Sequence, residues 1–289
     1  MPLPIPAPDA SGYTTSTPVP LYWCAYGPES GDRVLVLHGG PGAHHDYLLP
    51  QFLELADTRR LIFYDQRGGG RSRTDDRAPI TARTHVDDLA LVLEELDLPR
   101  PTIIGYSWGA LLTLLYTIAA AADPSMTSPE RLVLVNPAPA SREHRNAFEA
   151  EFSRRQQGEA IAALRAELAS SGLREQDPDA YRQRQFEIGV SGYFADPARA
   201  TNLTPFRVTG RVQQEVWQSL GDFDLIPDLQ CLTIPAVVIH GMHDPIPLAS
   251  SEAVAAALDA PLHRLNDSGH VPYVEQPEEL WQTIRTFLD

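Results

Sequence analysis

Residues 102–118 read Thr-Ile-Ile-Gly-Tyr-Ser-Trp-Gly-Ala-Leu-Leu-Thr-Leu-Leu-Tyr-Thr-Ile. Thr102 to Ile104 has the short apolar character of a buried strand, and Ala110 to Ile118 is apolar nearly all round, as a buried helix is. Between them Gly105-Tyr106-Ser107-Trp108-Gly109 forms a G-x-S-x-G, which puts Ser107 on a strand-to-helix turn. Such a turn is strained, and the flanking glycines let helix and strand pack closely. The result is a serine hydroxyl exposed at a strand end, the arrangement called a nucleophile elbow.

Working outward, four more short apolar runs read as buried strands: Val34 to Leu37, Leu61 to Tyr64, Leu132 to Val135 and Ala236 to Ile239. Helical periods lie between them, at Thr84 to Leu96 and Trp108 to Ala121. Strand alternating with helix predicts βαβ units and a mostly parallel sheet flanked by helices. The alternation stops after Asn136-Pro137. From Ser141 to about Leu220 the chain is charged and helical in period, punctuated by Gly172, Pro178, Gly192 and Pro197. Strand and helix return from Pro235, and Pro277 opens a last helix carrying Leu280, Ile284 and Phe287-Leu288. The expected fold is α/β, with a helical cap inserted after the sixth strand. The expected division is core at 1–136, cap at 137–229 and core again at 230–289.

Composition narrows the chemistry. The 289 residues carry 38 Asp plus Glu against 23 basic residues, all Arg, for a net charge of −15. Without lysine there is no P-loop phosphate lysine, pyridoxal Schiff base or amine nucleophile. The acidic balance argues against nucleic acid or an anionic membrane as partner. At 43% hydrophobic the chain can bury a full core, yet no run reaches the roughly 18 apolar residues of a membrane span. Met1 to Ser11 lacks the charged and apolar regions of a secretory signal, so a cytoplasmic location is expected. Cys24 and Cys231 are too few for a disulfide framework and are expected to be inert core thiols.

A serine hydroxyl needs a base, and the base an orienting acid. His240-Gly241-Met242-His243-Asp244-Pro245 follows the strand at Val237 to Ile239, which places Asp244 at a strand's carboxyl end. His270 precedes the last helix. Asp267 is the competing acid, and His240 and His243 are the competing bases. Ser, Asp, His in that chain order matches α/β-hydrolases. An oxyanion needs amide donors: the N–H of Trp108, directly after Ser107, and one from the glycine-rich His38-Gly39-Gly40-Pro41-Gly42, where Gly40 is the choice. His38, His44 and His45 lack companions at ligand spacing, so no metal is expected.

His38 to Gly42, His45-Asp46-Tyr47-Leu48-Leu49, Asp65-Gln66-Arg67-Gly68 through Gly70-Arg71-Ser72, and Gly105 to Gly109 together resemble the prolyl aminopeptidase (proline iminopeptidase) family of α/β-hydrolases. The resemblance covers roughly two thirds of the chain. It implies a Ser107, Asp244, His270 triad, Gly40 and Trp108 as oxyanion donors, a helical cap and no cofactor. It also implies release of an N-terminal proline, or another small apolar residue, from short peptides or amides through an acyl-enzyme. Members that do this hold the substrate ammonium with glutamates, in some of them one directly after the catalytic Asp. Here Pro245 stands there, and Asn202 to Phe206 in the cap has no carboxylate. Glu187 and Glu215 are the remaining cap candidates for that role, with Phe206 and Trp217 as apolar lining. Of the cap aromatics Phe148, Phe152, Tyr193, Phe194, Phe206 and Trp217, most are expected to form the cap's own core. A carboxylesterase acting on small acyl esters with the same triad is the alternative, and a non-catalytic binding protein on this fold is the reading from another class. Ser107 disfavours the dehalogenases and epoxide hydrolases, which use aspartate at the elbow.

Overall fold

Each of the five apolar runs is a strand in the computed structural model, which describes residues 3–75 and 77–289. In chain order the first elements are β1 (Ala10–Tyr13), β2 (Tyr22–Tyr26), β3 (Asp32–Leu37), β4 (Arg59–Tyr64), α1 (Ala82–Glu95), β5 (Thr102–Tyr106), α2 (Trp108–Ala122) and β6 (Arg131–Val135). The helical stretch holds α3 (Arg142–Gln156), α4 (Glu159–Ser170), α5 (Leu173–Gln176), α6 (Pro178–Val190), α7 (Gly210–Ser219) and α8 (Ile226–Leu229). Then come β7 (Ala236–Gly241), α9 (Leu248–Ala257), β8 (Leu262–Leu265), α10 (Pro272–Glu275) and α11 (Pro277–Leu288).

The strands form one sheet in the order β1-β2-β4-β3-β5-β6-β7-β8. β1 and β2 run antiparallel at one edge; from β4 to β8 the pairing is parallel. Because side chains alternate across a strand, a strand apolar throughout feeds both faces. Leu35 and Leu37 join Ile103, Leu132 and Val238 on the face covered by α1 and α2. Val34 and Val36 join Ile104, Val133 and Ile239 on the other, covered by Leu280, Trp281 and Ile284 of α11. Among the described residues, no helix is long and apolar enough to cross a membrane.

The helical cap lies between β6 and β7, and three of its punctuating residues stand at element starts. Pro178 opens α6 and Pro197 a 3-10 turn, while Gly172, at φ 68°, precedes α5. α4 and α6 share a small apolar cluster of Ile161, Leu168 and Ile188. α7 and α8 face the sheet domain instead: Val212, Val216 and Leu229 belong to the core that α1 and α2 cover. One expectation needs correcting, because Cys231 is exposed and only Cys24 is a buried thiol. Cys231 follows the single turn of α8, where its apolar neighbour Leu229 takes the inward position.

Candidate active site

The turn after β5 has the strain its sequence implies. Ser107 adopts φ 54° and ψ −118°, a conformation that L side chains rarely take. Its N–H donates to Val135 O of β6 at 3.0 Å, which ties the turn to the neighbouring strand. A Cβ on Gly109 would lie 2.1 Å from Leu37 O, and one on Gly105 2.5 Å from Ala110 Cα. Both glycines are therefore demanded by packing.

β7 delivers Asp244 and the segment before α10 delivers His270, and both side chains reach Ser107. His270 Nε2 is 2.9 Å from Ser107 Oγ, and His270 Nδ1 is 2.7 Å from Asp244 Oδ2. An ionised carboxylate only accepts, so Nδ1 carries the ring proton and Nε2 is left to accept from the serine. Burial pushes the Asp244 carboxyl up, but His270, His240 and Asn136 together outweigh it and hold it below the usual range. Asn136 Nδ2 donates to Asp244 Oδ2, and the Ile246 N–H donates to Oδ1 at 2.8 Å.

The competing residues lie elsewhere. Asp267 is exposed, with its N–H donating to Gln276 Oε1. His240 is buried with Nδ1 2.9 Å from Ser251 Oγ, and His243 is exposed. Among the described residues, no group of three or more His, Cys, Asp or Glu side chains converges as metal ligands would.

Two amides beside Ser107 are unspent. Neither Gly40 N–H nor Trp108 N–H meets an acceptor among the described residues. The first is aimed by its neighbours. Gln66 N–H donates to His38 Nε2 at 3.1 Å, so His38 carries its proton on Nδ1, which lies 2.9 Å from Gly39 O and donates to it. Gly39 O and Gly40 N–H belong to one trans peptide and point in opposite directions, so holding the carbonyl turns the N–H outward. Burial above all pushes His38 down to about 4, which keeps this tautomer neutral. The Gln66 side chain then joins the two segments that carry these amides: Nε2 donates to His38 O at 2.9 Å, and Oε1 accepts from Trp108 Nε1 at 2.8 Å.

Ser107, His270 and Gly40 open into a cavity of about 380 Å³. Its wall includes Tyr47, Tyr106 and Tyr273 from the sheet domain and Phe152, Phe186, Tyr193 and Phe206 from the cap, with Gln213 beside them and, among the described residues, no Asp or Glu. Phe206 is one of these lining residues, its ring centroid 4.4 Å from that of Tyr47 and tilted to it by 31°. The other three candidates lie outside that lining. Glu187 turns to Arg184 at 2.9 Å and Gln183 at 3.0 Å. Glu215 accepts from Ile80 N–H at 3.0 Å. The Trp217 ring packs against Trp108 and under the Arg145 guanidinium. Of the six cap aromatics, three line the cavity, so their role is split between lining and core.

Sequence reasoning missed Asn136, Gln66 and Glu275. Glu275 holds the His270 segment to the cap: Oε2 accepts from Gly269 N–H at 2.7 Å and Oε1 from Ala195 N–H at 2.9 Å. His270 N–H also donates to Tyr193 O at 2.7 Å. A second crevice, at the strands' amino ends, is lined by Arg33, Arg59, Arg100 and Arg131, which pair with nearby carboxylates or carbonyls. In parallel sheets ligands bind at the carboxyl ends, where Ser107 is.

The alpha/beta hydrolase family matches residues 34–283. A proline iminopeptidase of Lactobacillus delbrueckii subsp. lactis is 27% identical over 280 residues, covering 92% of this chain and 94% of that one. The crystal structure of a proline iminopeptidase from Mycobacterium smegmatis superposes with a TM-score of 0.69 at 26% identity, covering 96% and 97% of the two chains. An enol-lactonase from Burkholderia xenovorans LB400 shares the fold, with a TM-score of 0.64 at 20% identity, covering 96% and 99%. The sheet order, the inserted cap and the match across both halves agree: the chain belongs to the alpha/beta hydrolase family and is a hydrolase, similar to proline iminopeptidases.

Proposed function

We propose that the chain is a serine hydrolase that cleaves an ester or amide of a small, apolar, uncharged acyl group through an acyl-enzyme. Ser107 Oγ attacks the carbonyl carbon as His270 Nε2 takes its proton, and His270 then gives that proton to the leaving group. Asp244 keeps Nδ1 protonated and offsets the imidazolium charge. The Gly40 and Trp108 amides receive the oxyanion. Water, activated by the same histidine, releases the acid. Residues 137–229 act as the cap that closes the acyl cavity over the core formed by 1–136 and 230–289.

The observation that carries this reading is the relay from Asp244 through His270 to Ser107, opening into a cavity walled by aromatic rings with no carboxylate among the described residues. A substrate ammonium there would lose its hydration to ring faces and neutral polar groups with no described carboxylate to offset its charge, each desolvated ring contact being worth about 2 kcal/mol. Release of an N-terminal proline is the second reading, favoured by the relatives' names. One comparison separates the two: prolyl p-nitroanilide against its uncharged isostere, cyclopentanecarbonyl p-nitroanilide. A higher kcat/KM for the isostere is expected, and a tenfold preference for the prolyl compound overturns the uncharged reading in favour of the second. Ser107→Ala should abolish turnover of both, and normal turnover in that variant overturns the nucleophile assignment.

A further inference from the structure

One polar group in the cavity wall has no task in the reaction as written. Tyr47 lies in a 3-10 turn, His45–Leu48, just after the loop that supplies Gly40. Its phenol oxygen accepts the Gly39 N–H at 2.6 Å. A phenol has one proton, and no acceptor for that of Tyr47 is found among the described residues. An unused donor on a buried side chain is an anomaly unless a ligand or water takes it. Tyr106, by contrast, spends its hydroxyl on His270 O at 2.9 Å, and the Tyr273 hydroxyl is wholly enclosed.

The position is telling as well. A Cβ built on Gly39 would lie 2.8 Å from Ser107 Cβ and 2.9 Å from the Tyr47 oxygen. The phenol oxygen and the Cβ of the nucleophile thus both border the space left open because residue 39 is glycine. Tyr47, Gly40 and Ser107 line the same cavity, and Phe206 holds the Tyr47 ring from above. Accepting the Gly39 N–H also polarises the phenol and makes its own O–H a stronger donor.

We propose that Tyr47 is a catalytic residue: its O–H is a third donor, beside the Gly40 and Trp108 amides, to the substrate oxygen that becomes the oxyanion. This rests on the serine hydrolase reading. Burial raises the phenol far above its ordinary range, so it remains a protonated donor across the working pH range.

The test uses the full chain and two readouts: kcat for p-nitrophenyl butyrate, and the rate at which a fluorophosphonate labels Ser107, whose phosphonyl oxygen occupies the same hole. Tyr47→Phe should lower both by about a hundredfold, with KM within about threefold. That change also strands the Gly39 N–H, so a second variant separates donor from prop. Replacing Tyr47 with 3-fluorotyrosine strengthens the O–H as donor and weakens the oxygen as acceptor. The proposal expects both rates to equal or exceed those of the unmodified enzyme. Rates that fall together with the melting temperature would show a structural acceptor only, and overturn it. So would a Tyr47→Phe enzyme within twofold of the original. Failure of the underlying reading looks different, because the unmodified enzyme would then neither label at Ser107 nor turn over the ester.

Discussion

His85 on α1 is fully buried, its ring 5.9 Å from the Trp108 indole, and neither nitrogen has a partner among the described residues. Replacing it with leucine, a side chain of similar volume, should stabilise the protein. Removing unpaired buried polar atoms is worth about 1–3 kcal/mol. A second contribution depends on pH. Burial, reinforced by His38 and Arg67, pushes the His85 imidazole down to about 3 from 6.5. The unfolded chain therefore binds a proton that the folded one refuses. His85 carries no such penalty above pH 6.5, and the penalty grows as pH falls from 6.5 toward 3. At pH 5, one and a half units below the unfolded value, it amounts to about 2 kcal/mol. His85→Leu should thus unfold roughly 2–6 °C higher than the parent at pH 8, at about 2 °C per kcal/mol for a chain of this size. At pH 5 the advantage should widen by about 4 °C more. Thermal melts of both proteins at the two pH values provide the measurement. An advantage equal at both would show that His85 is not held neutral by burial. A less stable variant at both would show that the imidazole is hydrogen-bonded, through buried water for instance, and that the reasoning is wrong.

Gln66→Leu keeps the volume but removes the bridge between the segments that carry the two proposed oxyanion donors, stranding Trp108 Nε1 and His38 O. Two buried orphans at about 1–3 kcal/mol each should lower the melting temperature by roughly 4–12 °C. Looser aim of the Gly40 amide should also reduce kcat by about tenfold or more while KM changes little, as steady-state kinetics would show. The alkaline limb of stability should belong to His45. Burial pushes its imidazole down, but the hydrogen bond from Nδ1 to Asp65, at 2.7 Å, and the Cys24 contact outweigh it and raise it to about 10. That stabilisation is complete below pH 6.5 and lost as pH rises toward 10, so His45→Asn should be less stable at pH 6 and show a flatter decline between pH 7 and 10. An unchanged alkaline slope in urea titrations would assign the limb to another group.

What could be read in the chain and what could not differ in kind. The five buried strands were legible because a parallel strand covered on both faces is a short unbroken apolar run. β1 and β8 are edge strands with half their positions exposed, so Ala-Ser-Gly-Tyr and Leu-His-Arg-Leu carry no such run. Ser107, Asp244 and His270 were legible because each sits where an element ends, beside glycine or proline punctuation that local pattern reveals. Asn136, Gln66 and Glu275 left no such trace. Each acts through a partner distant in sequence: Asn136 on Asp244, Gln66 on Trp108, and Glu275 on Ala195.

Specificity is harder still, because it depends on which way a side chain turns. Glu187 and Glu215 occupy the right segment, and a helical wheel alone does not distinguish facing the cavity from facing a neighbour. The cap decides it through pairing: Arg184, one turn before Glu187, draws that carboxylate away, and the Ile80 amide at the start of α1 holds Glu215. Once both acids are engaged there, a substrate ammonium would have to compete with a guanidinium or a fixed N–H for either, outside the cavity lining. A chain with 38 acidic residues can therefore present a cavity whose described lining holds none. Strong net negative charge still raises the local concentration of cationic ligands through the long-range field. Inside the cavity, however, that field is no substitute for a desolvated partner within hydrogen-bond reach. On the proposed serine hydrolase reading, acyl-group choice is consequently governed by the aromatic wall and the few unspent donors beside Ser107, not by the charge of the molecule as a whole.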